Sequence, residues 1–390
     1  MARSRSAACR RMFRKYSRLP SFLIYSIFIP GKLKPWPPSV TTRRRQPTEV
    51  AFMEKLDSCH DPNDEMRFQA TDVLKNSTAS CPEIIARTLS NGSDDEICNL
   101  LGTIACSGNP RYVQEVMKLA EHQSAAVREQ AACTLGKIGD RNILNTLFKL
   151  AEDRSGNVRG AAIKSIGWVG DDRDVGKLIQ WLDDDCVDVC EACLGALVLI
   201  GGQKVVDHFC KDLGGSEIKR QKMAAAALGW IGEREVVEPL ITALNHPEWE
   251  VRLSAVESLG RIADRRALEP IRAILNDDHP RVRKAAIDAM VSLEGSSALS
   301  SIAMFLNDQD LGVRLHAIDV AGTIGDQSVT DKILNLLTDE NDTIRIAAAK
   351  ALSGLKDERS LAVLRNILND TNPDVAEAAS KALAALEGRV

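Results

Sequence analysis

The sequence predicts an all-α chain, a solenoid of helical hairpins stacked one on the next. Three observations point there. The first is a period. Valine precedes arginine at Val127–Arg128, Val158–Arg159, Val251–Arg252, Val282–Arg283 and Val313–Arg314, every step a multiple of thirty-one residues, with Ile344–Arg345 a close copy. Self-similarity at such a spacing is the signature of a repeat array. The second is the pattern around each arginine. Three residues on stands a small residue (Ala131, Ala162, Cys193, Ala224, Ala255, Ala286, Ala317, Ala348, Ala379). Seven residues on stands a larger apolar one (Leu135, Ile166, Leu197, Leu228, Leu259, Met290, Leu352, Leu383). Those intervals line one face of a helix. The third is composition: with aromatics at 4%, alanine, leucine and isoleucine must fill the interior. That suits close helix packing and argues against a large aromatic-lined pocket. A compact chain of 390 residues would split into two or three domains. A stack escapes that limit, because each repeat touches only its neighbours.

Residues 1–52 do not share the pattern and are read as a separate, disordered, basic extension. They hold twelve arginines and lysines against one acid, Glu49, although the net charge of the whole chain is -4. An apolar run, Phe22 to Ile29, is too short to span a bilayer. Pro30-Gly31-Lys32-Leu33 after it does not look like a signal cleavage site. A proline-rich stretch with Pro35, Pro37, Pro38 and Pro47 leads to Met53, a natural start just where composition changes. The extension is therefore expected to be a targeting segment or sequence upstream of the true start, with residues 53–390 forming the solenoid. Export or membrane association through residues 1–30 is the alternative to a cytoplasmic protein.

Taking the arginine slot as landmark, eleven repeats fall at Arg67, Ile97, Arg128, Arg159, Cys190, Gln221, Arg252, Arg283, Arg314, Arg345 and Ala376. Each reads as a leading helix, a polar turn and a landmark helix carrying the slot. Glycine at Gly139, Gly170, Gly201, Gly232 and Gly325 is expected to close the landmark helix in a left-handed cap. An acid then caps the next helix, as at Asp140, Asp171, Glu233, Asp264, Asp326 and Asp357. Pro239 and Pro270 lie within leading helices and are expected to bend them.

The pattern Asp, six residues, Val-Arg-x-x-Ala-x-x-x-Leu-Gly-x-Ile-Gly-Asp resembles the HEAT repeat, in particular the short form named for phycobilisome lyases, over roughly residues 61–387. The resemblance implies a right-handed α-α superhelix. It also implies a structural ladder of hydrogen bonds involving the pairs Asp153/Arg159, Asp277/Arg283, Asp308/Arg314 and Asp339/Arg345, a role suited to arginine's planar fork.

Enzymes occur among similar repeats, so catalytic patterns were sought. Deoxyhypusine hydroxylase, a metal-dependent oxidoreductase, binds iron through His-Glu dipeptides, and none occurs in this sequence. Cys186, Cys190 and Cys193, with Cys210 downstream, have a spacing similar to that of iron–sulfur loops. Here, however, Cys190 and Cys193 fall within a helix, and Cys193 fills alanine's slot as a small buried residue. These cysteines are the only metal candidates, and a metal-dependent oxidoreductase using them is one alternative function. A phycobilin-lyase-like chaperone or lyase accessory remains an alternative, resting on the repeat alone. DNA-glycosylase chemistry wants a basic face, and an acidic array is a poor partner for nucleic acid. The ten cysteines sit in helical positions rather than in a disulfide framework, which favours a reducing compartment.

Winding the landmark helix at 100° per residue places positions three, four, seven and ten inward and one, five and nine outward. In a HEAT solenoid this outward side lines the concave surface. Position nine reads Trp168, Leu199 and Trp230 in three consecutive repeats, above Lys164, Gly195 and Ala226 at position five, with Met223 beside them. Glu257, Asp288 and Asp319 follow at position five as an acidic strip. Trp181 and Trp249 read as structural. The sequence thus predicts a non-catalytic scaffold without cofactor, binding another protein or peptide through this face, with no nucleic acid and no stable membrane span.

Overall fold

The computed structural model describes residues 82–388. The basic extension and the first repeat, around Arg67, lie outside them. The described residues divide into two compact units, the first ending at Val205 and the second beginning at Val206. Each is all-α, with no strand among the described residues.

In the first unit the landmark helices run Asp94–Ser107, Ala125–Ile138, Gly156–Val169 and Val187–Ile200. In the second they run Ile218–Ile231, Trp249–Ile262, Pro280–Glu294, Leu311–Ile324, Asp342–Leu355 and Pro373–Leu386. The leading helices are shorter, as at Leu144–Leu150 and Val237–Ala243, and most begin from a 3-10 turn such as Arg141–Ile143 or Arg234–Val236. Within each unit, neighbouring landmark helices pack side by side.

The apolar face behaves as its spacing requires. Val158, Ala162 and Ile166 are fully buried, as are Val251, Ala255 and Leu259 one unit on. Each buried Val, Ile or Leu contributes about 1.5–3 kcal/mol, and the repetition accumulates one core from otherwise marginal hairpins.

The turns follow expectation in part. Asp140, Asp264 and Asp326 accept the backbone N–H two residues on, at 3.0, 3.0 and 2.8 Å, opening the 3-10 turns. Glu233 does not cap with its side chain. Gly232 and Gly325 take the left-handed conformation, but Gly139 and Gly170 are extended. Those two are glycine for space: a Cβ on Gly139 would stand 2.6 Å from Ile143, and one on Gly170 would stand 2.7 Å from the Ile166 carbonyl. Conversely, Ala263 and Lys356 adopt φ of 53° and 52° without glycine. Pro239 and Pro270 are the third residues of Val237–Ala243 and Leu268–Ile274. In that first turn a backbone N–H has no intrahelical partner to lose, which explains why the helices accommodate them.

Candidate functional site

The slot arginines build the frame on which any binding face must rest. Their side chains reach forward, to the aspartate twenty-five residues on. Arg128 grips Asp153, Nε to Oδ2 at 2.6 Å and Nη2 to Oδ1 at 2.9 Å. Arg159 holds Asp184, Arg252 holds Asp277, Arg283 holds Asp308 and Arg345 holds Asp370 by the same two-pronged contact. Within its own repeat each arginine instead donates Nη1 to a backbone carbonyl six residues back, as Arg159 does to Asp153 at 3.1 Å and Arg283 to Asp277 at 2.8 Å. The pairs separated by six residues thus meet through main chain, while the carboxylates of Asp153, Asp277 and Asp308 serve the preceding repeat.

At two of the slots without arginine, a smaller donor keeps the backward bond. Cys190 Sγ donates to the Asp184 carbonyl at 3.1 Å, and Gln221 Nε2 to the Gly215 carbonyl at 2.9 Å. Twenty-five residues beyond these slots stand Gly215 and His246 rather than aspartate. His246 caps its turn with Nδ1, accepting the Glu248 N–H at 3.1 Å as an aspartate would.

The carboxylates carry the mark of these contacts. The Arg128 fork holds Asp153 below the usual range against the opposing effect of burial. Burial pushes Asp308 up, but Arg283 and the Asp310 N–H more than reverse it.

The second seam joins landmark helices directly. Buried hydroxyls bond back to the preceding helix: Ser165 Oγ to the Ala132 carbonyl at 2.9 Å, Ser258 Oγ to the Ala225 carbonyl at 2.8 Å. Facing them are glycines with no room for a side chain. A Cβ on Gly136 would stand 2.5 Å from Ser165 and one on Gly229 would overlap Ser258, while in a repeat with alanine in place of the serine one on Gly167 would stand 2.8 Å from the Ala196 backbone.

Against this frame the expected binding residues can be placed. In the first unit, Trp168 and Leu199 are half-buried, and the Trp168 ring lies over Gly136 of the preceding repeat. Half-buried Lys164 acts electrostatically on Glu129, whose pKa burial raises and Lys164 lowers. In the second unit, Met223 and Trp230 are also half-buried, and the Arg261 guanidinium sits 3.8 Å from the centre of the Trp230 ring. Each tryptophan thus makes an intramolecular contact and keeps part of its surface open. Trp181 is buried and stacks on Phe148, and Trp249 stacks on His279 at 3.7 Å.

Glu257, Asp288 and Asp319 are exposed, one per landmark helix. Asp288 meets His316 Nε2 at 2.8 Å, whereas Glu257 and Asp319 form no ion pair. Partial loss of hydration against its neighbours raises the pKa of Glu257 first of all, with Arg261 opposing and Asp288 adding to it. The strip is therefore a concentration of negative charge without a built-in cation opposite each member.

The cysteines serve the helices. Cys186 is the N-cap residue of Val187–Ile200, and its backbone N–H donates to Asp184 at 2.9 Å. Cys193 Sγ donates to the Leu178 carbonyl at 3.0 Å, and burial pushes its pKa well above the ordinary thiol value. Cys210 belongs to the second unit. Among the described residues, no three His, Cys, Asp or Glu side chains cluster as metal ligands would. One helical stretch, Pro280–Asn307, is long and apolar enough to cross a membrane by composition. It contains Arg283, locked on Asp308, and Val282, Ala286 and Met290 of the repeat core.

A family model of HEAT repeats matches residues 113–198, 206–291, 237–314 and 299–384. The chain belongs to the HEAT-repeat family. Among solved structures, this HEAT protein resembles Kap95p bound to RanGDP, with 16% identity, TM-score 0.57, and coverage of 97% of this chain and 59% of that one. Importin beta gives 15% identity and TM-score 0.55, covering 88% and 58%. Kap121p bound to Pho4p gives 15% and 0.54, covering 87% and 46%. The chain therefore spans about half to three fifths of those structures, and at such identity the likeness is one of fold. No curated protein matches the sequence.

Proposed function

We propose that this HEAT protein is a non-catalytic scaffold that binds another protein through the exposed side of its landmark helices. The observation that carries the reading is the row Glu257, Asp288 and Asp319, exposed at one position in three successive repeats, with two of the three carboxylates unpaired. A row of like charges disfavours folding and is accounted for if a basic segment of a partner neutralises it. Met223 and Trp230, in the same unit as the row, supply part-open apolar surface that anchors such a contact, and Trp168 and Leu199 offer surface of the same kind within the first unit. Partners bound to other HEAT solenoids, RanGDP on Kap95p and Pho4p on Kap121p, agree in kind. The spacing of the ten cysteines follows no disulfide framework, in keeping with a reducing, cytoplasmic setting.

The test is capture from native lysate by the full chain, wild type beside Glu257→Lys/Asp288→Lys/Asp319→Lys and beside Trp168→Ala/Trp230→Ala. A bound protein that both folded variants lose, and that added salt weakens, supports the reading. Identical capture by all three proteins would remove it.

A further inference from the structure

The second unit also holds a feature richer in arginine, at the turns that follow two of its landmark helices. Between the turn after Ile218–Ile231 and the turn after Trp249–Ile262 opens a cavity of about 820 Å³, whose walls include Arg234, Glu235, Ala263, Asp264, Arg265 and Arg266. Three arginines on one hollow are unusual for a chain of net charge -4. They do not play one role.

Arg266 is structural. It grips Asp264 with two prongs at 3.1 and 3.0 Å, and its Nη2 donates to the Arg234 carbonyl at 2.7 Å, tying the two turns together. That pairing also cancels the Asp264 charge, whose pKa falls to about 2 through the Arg266 contact. Arg234 and Arg265 are exposed, and neither makes a side-chain hydrogen bond or ion pair. Arg265 also lines a second hollow of about 290 Å³ beside Leu268, Leu293 and Glu294, and Arg272 already neutralises Glu294 at 2.8 Å. On the larger cavity Arg234 and Arg265 remain outside any ion pair, with Arg234 adding to the field that lowers the Asp264 pKa and Glu235 acting on Arg266.

We propose that this cavity is an anion site that takes a phosphate monoester, gripped between Arg234 and Arg265 on a floor fixed by Arg266. Two free forks suit a doubly charged tetrahedral oxyanion, which offers acceptors to both at once, better than a carboxylate, which one fork satisfies. Glu235 opposes the anion, sets a modest affinity and provides an internal control. The site is independent of the protein-binding reading above, because its ligand is a small group that can be presented alone.

The full chain is titrated calorimetrically, at fixed ionic strength, with inorganic phosphate and with a phosphoserine hexapeptide beside its unphosphorylated form. Saturable one-to-one binding is expected, weakened about tenfold or more by Arg234→Gln/Arg265→Gln, the loss of a charge-assisted contact. Glu235→Gln should tighten it. Circular dichroism confirms folding, and Arg266 is left intact so that the turns stay joined. A peptide bound more tightly than inorganic phosphate, with no binding of its unphosphorylated form, identifies a phosphorylated partner. Equal affinity for the two phosphates identifies a small metabolite. Non-saturable heats, or a double variant that binds as wild type does, would overturn the proposal.

Discussion

Two neighbouring junctions in the second unit are fastened differently. Where Pro280–Glu294 meets the repeat of Leu311–Ile324, Arg283 closes on Asp308 with both side chains nearly out of solvent, 6% and 8% exposed. The position that elsewhere holds the close-contact glycine is Val291, and the residue opposite it in the repeat pattern is Val320. One junction further the arrangement reverses. Arg314 bonds the Asp308 carbonyl at 2.7 Å, but its Nε is buried without a partner and no ion pair joins it to Asp339. There Gly322 presses against Ala351, where a Cβ would stand 2.7 Å from the Ala351 Cα. The junction between Trp249–Ile262 and Pro280–Glu294 has both fasteners, Arg252 on Asp277 and Gly260 against Ala289. Ion-pair rungs and glycine seams are therefore separate devices, and these three junctions draw on one or both.

The comparison makes graded predictions, checked by chemical denaturation of the full chain. Arg283→Ala should cost most, about 3–5 kcal/mol, because it strands a buried Asp308 carboxylate. Gly322→Ala should cost about 1–3 kcal/mol by forcing the Ala351 helix aside, with little loss from alanine at a position facing open space. Arg314→Met should cost less than about 1 kcal/mol, because it removes a guanidinium that is already one hydrogen bond short while keeping the stem's packing. If Arg314→Met proved as damaging as Arg283→Ala, the distinction between the junctions would collapse.

Acid sharpens the same contrast. Asp153, Asp308 and Asp370 are held below the usual aspartate value in the fold, by Arg128, by Arg283 against burial, and by Arg345. Their contribution is complete above the unfolded aspartate pKa of about 4 and is lost as pH falls through the lower folded values. The melting temperature of wild type should therefore drop below about pH 4, and Asp308→Asn should show a smaller drop. The smallest expected effect is at a turn. Ala263→Gly relieves a left-handed alanine and should stabilise by about 1 kcal/mol or less.

Much of this was legible in the sequence. The thirty-one-residue step placed the landmark helices, and Val158, Ala162 and Ile166 are buried as the winding requires. The target of each slot arginine was harder to see, since the aspartate six residues back lies in the same repeat and its true partner lies in the next. A signal was present: where the slot loses arginine, at Cys190 and Gln221, the acid twenty-five residues on is lost as well. The glycine seam was hidden for another reason. Gly167 looks like a helix weakener until the chain that crosses it at Ala196 is in place. The exposure of Trp168 and Trp230 could not be decided by winding alone, because a long ring near a helix end leans onto the neighbouring repeat. Arg234 and Arg265 carried no sequence signal, since their freedom depends on Arg266 occupying Asp264.

The backward bond to a carbonyl six residues earlier asks little of the slot: a single donor suffices, and arginine, glutamine and cysteine all supply it. The forward rung is then an optional addition that needs an arginine and an aspartate twenty-five residues apart, although at Arg314 and Asp339 both are present and the rung is not closed. Exchanging Gln221→Arg together with His246→Asp would write in a crosslink without redrawing either helix. Reverting one member would leave a stranded charge, so intermediates are penalised and the pair changes in concert. An array built this way can adjust its stiffness repeat by repeat while its hydrophobic spine stays constant. Compliance becomes a heritable trait distinct from fold.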